Sequence, residues 1–231
     1  MNIDRKSRLR DIANAGTAAR RVLDHADLDY CCEGGWTLGE ACDASSVDLV
    51  SIESELRAVA PEIDAWEERE ISAVLDSVLT KCHPRTRRLL SEATAAAVAL
   101  CATNVRARPL ADALGTLGLH VLKQMHEEEE SLFARVRALA DARMGRGPYP
   151  APPFRTIGEH GDRLRKGHRR THDYIRLVRT LLGNLDGVGG EELTRRIEAA
   201  LSSLTEQMHL ENNELLPRAR DLEPSEFPAS V

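Results

Sequence analysis

Apolar residues recur at steps of three and four along most of this chain, the spacing that places them on one face of an α-helix. Beyond Pro61 the pattern predicts four long helices, at about residues 65–106, 109–144, 154–182 and 191–220. The interruptions are Arg108-Pro109, the segment GRGPYPAPP at 145–153 and GNLDGVGG at 183–190, all rich in residues that end helices or form turns. Short connections favour antiparallel neighbours, so these four helices are expected to form an up-down-up-down bundle with its core between residues 62 and 220. Ahead of Pro61, residues 4–26 and 46–59 also read as helical and flank DLDYCCEGGWTLGEAC, where Gly34-Gly35 interrupts any helix. No strand is predicted. The expected fold is all-α, a small helical domain over residues 1–60 followed by a four-helix bundle over 61–231.

Composition narrows the function. A chain of 231 residues, 42% hydrophobic and 3% aromatic, can bury one main core with a small appendage. A formal charge of −6 argues against a nucleic-acid or anionic-membrane partner, because both reward a basic face. The N-terminal MNIDRKSRLRD lacks the apolar stretch of a signal peptide, and no segment approaches the ~20 apolar residues that span a bilayer, so a cytoplasmic protein is expected. Five cysteines, an odd number without repeating spacing, read as thiols rather than a disulfide framework.

The candidate chemistry lies in a repeat. Residues 124–133 read QMHEEEESLF and residues 207–219 read QMHLENNELLPRA. On the second bundle helix Leu114, Leu117, Val121, Met125 and Leu132 form the inward stripe, and Glu128 falls within it. On the fourth helix Ile197, Leu201, Leu204, Met208 and Leu215 do the same, with Glu211 in the matching place. A buried carboxylate needs a partner, either an arginine or a cation. The first and third helices put His83 and His168 on their inward faces, His83 with Leu75, Leu79 and Leu90, His168 with Leu164, Ile175 and Val178. Two histidines and two glutamates from four helices are the mixed nitrogen and oxygen set from which di-iron or di-manganese centres are built inside bundles.

Together with DYCC and LGEAC in the N-terminal segment and HLENNELLPRA at the end of the fourth helix, these residues resemble the RIC (repair of iron centres) di-iron family. The likeness spans nearly the whole chain, with EEEESLF, the passage from Pro152 to Glu159-His160 and the spacing from His83 to Pro109 adding to it. It implies a hemerythrin-like bundle holding non-haem iron, expected as a di-iron centre, behind a cysteine-bearing N-terminal domain. The implied function is a stress response, the repair of iron–sulfur clusters damaged by nitric oxide or oxidants through iron donation, with iron–sulfur proteins as clients. In the family the second and fourth helices each supply a histidine and, four residues later, a bridging glutamate, and the first and third each supply a histidine. Carried over, the metal ligands are Glu128, Glu211, His83 and His168, with His160 as the alternative on the third helix. Histidines are then expected at 124 and 207, where this chain has Gln124 and Gln207; these stay in the candidate ligand set as poorer, amide-oxygen donors, so the resemblance implies an altered site holding one metal or two. His126 and His209 lie about 200° around the helix from Glu128 and Glu211 and read as structural, with a re-aiming π-bulge as the open alternative. Glu127, Glu129 and Glu130 read as a hydrated face, His172 as solvated, and His120 as a neighbour of the site.

Cys31 and Cys32 are adjacent, and neighbours rarely pair without distorting the peptide between them, so they read as thiols in an exposed, flexible turn. The resemblance makes them the working cysteines, assisting transfer of iron or a nitrosyl group or exchanging disulfides with a partner; Cys42, Cys82 and Cys101 read as packing. Metal delivery rather than turnover of an organic substrate is the expected chemistry. Two rivals stand beside it: a hemerythrin-like sensor or scavenger of oxygen or nitric oxide, and a metal-poor regulatory module with a degenerate site. A homodimer is left open.

Overall fold

In a computed structural model, which describes residues 3–59, 69–151, 156–185 and 190–224, the regular structure consists of helices, with no strand among the described residues. Four short ones come first: α1 (Leu9–Asn14), α2 (Thr17–His25), α3 (Leu38–Ser45) and α4 (Leu49–Ala58). The bundle follows. Helix α5 runs Ile71–Ser77, passes through a π-turn at Val78–Cys82 and continues as His83–Leu100. Helix α6 runs Arg108–Glu127, a π-turn at Glu128–Phe133, then Ala134–Arg143. Helix α7 is Ile157–Gly183, and α8 runs Gly190–His209, a π-turn at Leu210–Leu215, then Leu216–Arg220. Each bundle helix packs on the next and α8 returns to α5, giving the up-down-up-down bundle. Among the described residues no helix is long and apolar enough to cross a membrane.

Several boundaries differ from the sequence expectation. The stretch 4–26 is not one helix, because Gly16 takes φ 122°, which breaks the chain between α1 and α2. The first bundle helix stops at Leu100 rather than Arg106, since the Asn104 side chain caps a 3-10 turn at Val105–Ala107. Helix α3 begins within the segment 27–42 and runs past it; Thr37 and Glu40 form a capping box that starts it after the Gly34-Gly35 interruption. The expected helix starts near Ala65 and Phe154 lie outside the described residues.

The N-terminal helices are not an independent appendage in their packing. Leu9, Ile12, Leu23, Tyr30 and Leu38 belong to the same apolar cluster as Leu114, Met125, Ile175, Leu204 and Met208 of the bundle. Polar contacts pin the seam. Asn213 Nδ2 donates to the carbonyls of Tyr30 and Cys31, both at 3.2 Å, and Tyr30 Oη donates to Thr205 Oγ1 at 3.1 Å. The approach is close enough to require a glycine: a Cβ on Gly34 would stand 2.5 Å from Asn213 Oδ1 and 2.8 Å from the Tyr30 carbonyl oxygen. His209 sits in this seam, donating from Nε2 to Asn14 Oδ1 at 2.8 Å and accepting at Nδ1 from Asn213 at 3.1 Å, with Tyr30 edge-on to its ring.

At the other end of the bundle a second apolar cluster gathers Val74, Leu75, Val78, Leu132, Phe133, Leu164 and Leu215. Between the two clusters the four bundle helices bring buried ionisable residues toward one another: His83 from α5, Glu128 from α6, His168 from α7 and Glu211 from α8. All three π-turns border this layer. A π-turn takes more residues per turn than an α-helix and so brings sequence neighbours to the same side. Leu132 and Phe133 are both buried, as are Glu214, Leu215 and Leu216.

Burial, helped by the positive charge of Arg20, pushes the His209 imidazole down to about 3. The unfolded chain titrates near 6.5, so this group's contribution to stability is complete above that pH and is lost as pH falls toward 3. Asp24, raised to about 6 by burial against the opposing pull of Arg179, works the other way at acid pH and offsets part of the loss. Replacing His209 with Gln separates the two. In thermal melts of metal-free protein, the fall in stability between pH 7 and pH 4 should be smaller in the variant by roughly 2 kcal/mol, about 4–8 °C in midpoint.

Candidate metal centre

His83 emerges from the α5 π-turn with its ring in the polar layer. Its Nδ1 donates to Glu129 Oε1 at 2.5 Å, and Arg87 donates to the same oxygen at 2.7 Å. With Nδ1 carrying the hydrogen, the Nε2 lone pair points inward, 3.0 Å from Glu211 Oε1 and 3.5 Å from Glu128 Oε2. On α7 the same logic recurs with different partners. His168 Nδ1 donates to Asn212 Oδ1 at 3.0 Å, and the Asn212 amide is oriented by its own NH₂, which donates to the Cys31 carbonyl at 3.0 Å. His168 Nε2 therefore also turns inward, 3.1 Å from Glu211 Oε2 and 3.8 Å from Glu128 Oε1.

Neutral imidazoles held this way aim nitrogen lone pairs at carboxylate lone pairs, which repel unless a cation or proton stands between them. Glu128 Oε2, Glu211 Oε2 and His168 Nε2 are buried with no hydrogen-bond partner. Each unpaired buried carboxylate costs several kcal/mol, and a domain has only about 5–15 kcal/mol of net stability, so a layer holding two of them must be compensated. The titration directions describe how protons do this without metal. Burial and the charge of Glu211 push the Glu128 carboxyl well above its usual range. Burial works against Glu211 as well, but His168 and His83 pull it down to about 2. Burial lowers His83, yet the hydrogen bonds and charges of Glu211 and Glu129 outweigh it and leave the imidazole above its ordinary value. Two imidazole nitrogens and two carboxylates are a donor set for mid-series divalent metals such as iron; His83, Glu128 and Glu211 each bring a ligand atom within 4.8 Å of one another, and His168 Nε2 faces both carboxylates. The residues fit a metal.

The two glutamines lie one turn before the carboxylates. Gln124 Nε2 donates to Glu128 Oε1 at 2.9 Å and Gln207 Nε2 donates to Glu211 Oε1 at 3.0 Å. Both glutamine carbonyl oxygens are buried without a donor. Gln124 fits because residue 167 is glycine, where an added Cβ would meet its Oε1 at 2.8 Å. A cavity of about 760 Å³ reaches Gln124 and Glu128 from outside, with Lys123, Arg163, Lys166 and Arg170 on its walls.

Other sequence-predicted residues fall elsewhere. His160 is half-buried on the cavity wall, two turns before His168. His126 is exposed and His209 faces the N-terminal seam; the π-turns begin after both and do not re-aim them. His120 is half-buried near Gln124, its Nε2 3.3 Å from the Gly167 carbonyl oxygen. Three expectations are corrected. Glu129 is not merely part of a hydrated face but holds the His83 ring, because the π-turn beginning at Glu128 carries its neighbour to the buried side. His172 is buried, not solvated, since the N-terminal unit covers that side of α7. Cys31 is 1% exposed rather than displayed on a flexible turn, held by Asn212 and Asn213, while Cys32 is half-buried. Asn212, which orients His168, was missed, and helical periodicity offers no signal for it inside a π-turn.

Comparison with known proteins agrees with this geometry. The hemerythrin HHE cation binding domain matches residues 74–219, and the ScdA_N domain of unknown function (DUF542) matches residues 5–60. The iron-sulfur cluster repair protein YtfE of Edwardsiella ictaluri is 28% identical over 91% of this chain and 95% of its own length. The protein of the same name from Yersinia pseudotuberculosis is 25% identical over 93% of this chain and 97% of its own.

Because Glu128 and His83 are both held toward their protonated forms, a metal entering the layer must displace protons. Apparent metal affinity should therefore rise with pH, by up to about tenfold per unit for each proton released. Competition titrations with ferrous iron between pH 6 and pH 8 check this; a pH-independent affinity would mean that these two groups are not ligands.

Proposed function

We propose that this chain, which belongs to the hemerythrin HHE cation binding domain family, holds non-haem iron between Glu128 and Glu211 and donates it in the repair of damaged iron–sulfur clusters. The observation that carries the metal assignment is the convergence of His83, Glu128 and Glu211, with buried oxygen atoms on both carboxylates and the His168 nitrogen facing them left without hydrogen-bond partners. The repair role is supported by end-to-end similarity to relatives named for that activity.

Iron in this reading is cargo, so the residues must both hold it and let it go. His83 and His168 supply nitrogen, fixed in tautomer by Glu129 and Asn212. Glu128 and Glu211 supply the negative charge. Glu128, the carboxyl that burial favours in its protonated form, is also the one on the cavity wall, and its protonation weakens the grip on the ion. The cavity gives that ion a way out. Free thiols at all five cysteines suit action in the reducing cytoplasm. Iron–sulfur proteins are the proposed recipients, and a di-iron form is the fuller occupancy of the same ligands.

The glutamines set the strength of the site. An amide for an imidazole leaves the formal charge unchanged, so the carboxylates still attract a cation, but two nitrogen donors are lost. Restoring them with Gln124→His/Gln207→His should raise ferrous affinity about tenfold or more, or increase the iron bound per chain, measured by metal analysis after dialysis. Glu128→Gln/Glu211→Gln should do the opposite. Iron affinity should fall about a hundredfold or more, while the metal-free protein becomes no less stable, because two costly carboxylates have gone. Unchanged iron content in that variant would refute the site.

A further inference from the structure

Beyond Asn212 lies a second group of donors that the bundle centre does not use. Asp29 Oδ1 accepts from the Cys31 thiol at 3.0 Å and from the Cys32 backbone N–H at 2.8 Å, and the two sulfurs are 3.6 Å apart. One carboxylate oxygen and both sulfurs lie within 4.8 Å of one another. The other Asp29 oxygen faces His172 Nδ1 at 3.9 Å. His172 is only 5% exposed, and that nitrogen is buried with no hydrogen-bond partner. A buried imidazole nitrogen without a hydrogen-bond partner, turned toward a carboxylate that already holds the Cys31 thiol and the Cys32 backbone N–H, is hard to explain as packing.

The spacing has a chemical meaning. Two thiolates sharing one tetrahedral ion at about 2.3 Å each stand about 3.8 Å apart, close to the separation found here. Asp29 and His172 line a cavity of about 610 Å³, which gives an ion a route to the group. On the same cavity wall Arg169 pairs with Glu33 at 3.2 Å and Arg176 with Asp27 at 3.1 Å, so the approach to the group is lined by charges of both signs.

We propose that Asp29, Cys31, Cys32 and His172 form a second metal site, separate from the bundle centre and selective for a thiophilic divalent cation such as zinc, ferrous iron or cobalt. Binding exchanges protons for the ion. The Cys31 and Cys32 thiols each release one proton and each form one metal–sulfur bond, Asp29 gives oxygen and His172 gives Nδ1, and no oxidation state changes. The bundle centre has no sulfur ligand, so the two sites differ in what they absorb.

Titration of the full-length, metal-free protein with cobalt(II) tests this. Sulfur-to-cobalt charge transfer absorbs in the near ultraviolet only when thiolates are ligands. The band should grow to saturation with about one equivalent assigned to this site and should disappear in Cys31→Ser/Cys32→Ser. His172→Leu should weaken its half-saturation about tenfold or more. The band should persist in Glu128→Gln/Glu211→Gln and in Cys42→Ala/Cys82→Ala/Cys101→Ala, so failure of the iron-repair reading leaves this result standing. Circular dichroism checks that each variant keeps its helices, and Cys32→Ser alone serves if the double serine variant does not. The proposal is overturned by the absence of a thiolate band, by its survival without Cys31 and Cys32, by its loss in the triple alanine variant, or by a half-saturation that His172→Leu leaves unmoved.

Discussion

Two carboxylates buried in one layer, opposite two imidazoles whose free nitrogens face them, are the constraint around which this bundle is organised. Glu128 and Glu211 lie between two apolar clusters, 3% and 0% exposed, so little solvent shares the cost of their charge beyond what the cavity beside Glu128 admits. Everything touching them works on that cost. Glutamine amides donate from the preceding turn, histidines face inward because Glu129 and Asn212 hold their outer nitrogens, and π-turns crowd extra side chains around the layer. The surrounding hydrogen bonds do not neutralise the charge. They orient it, which is what a binding site for a cation requires.

The N-terminal helices extend this design. Their apolar residues continue the upper cluster of the bundle, and their cysteine loop lies against the turn of α8 that carries Glu211. Asn212 and Asn213, consecutive residues, divide the work: one reaches the loop and the His168 ring, the other reaches the loop and His209. The region that bears the thiols and the region that bears the carboxylates are thus in contact through one short stretch of backbone. The two segments that match separate family models are joined at the cysteine loop and the Glu211 turn.

Much of this was legible in the sequence. The stripes on α6 and α8 place Glu128 and Glu211 inward, the repeat of Gln-Met-His marks the two helices as counterparts, and Pro- and Gly-rich segments mark the breaks. What periodicity misses has a physical reason. It assumes a uniform α-helix, and the π-turns at Glu128–Phe133 and Leu210–Leu215 violate that assumption where the ligands stand, so Glu129 and Asn212 gave no signal. It also treats each helix alone. His172 is off the inward stripe of α7 and so read as solvated, yet the N-terminal unit covers it, a contact between residues more than a hundred positions apart. The burial of Cys31 escapes local reading for the same reason, since Asn212 and Asn213 hold it from the far end of the chain.

The hydrogen-bonded path from the Cys31 carbonyl through the Asn212 amide to the His168 ring has a consequence that follows from linkage alone. A coupling between two sites acts equally in both directions. If the loop position helps to fix the imidazole that grips a cation, then a gripped cation fixes the loop by the same free energy. A loaded chain would hold its cysteine loop more tightly, and discharge would loosen that hold by the same free energy, so the stiffness of the loop would carry a record of whether the cargo had left.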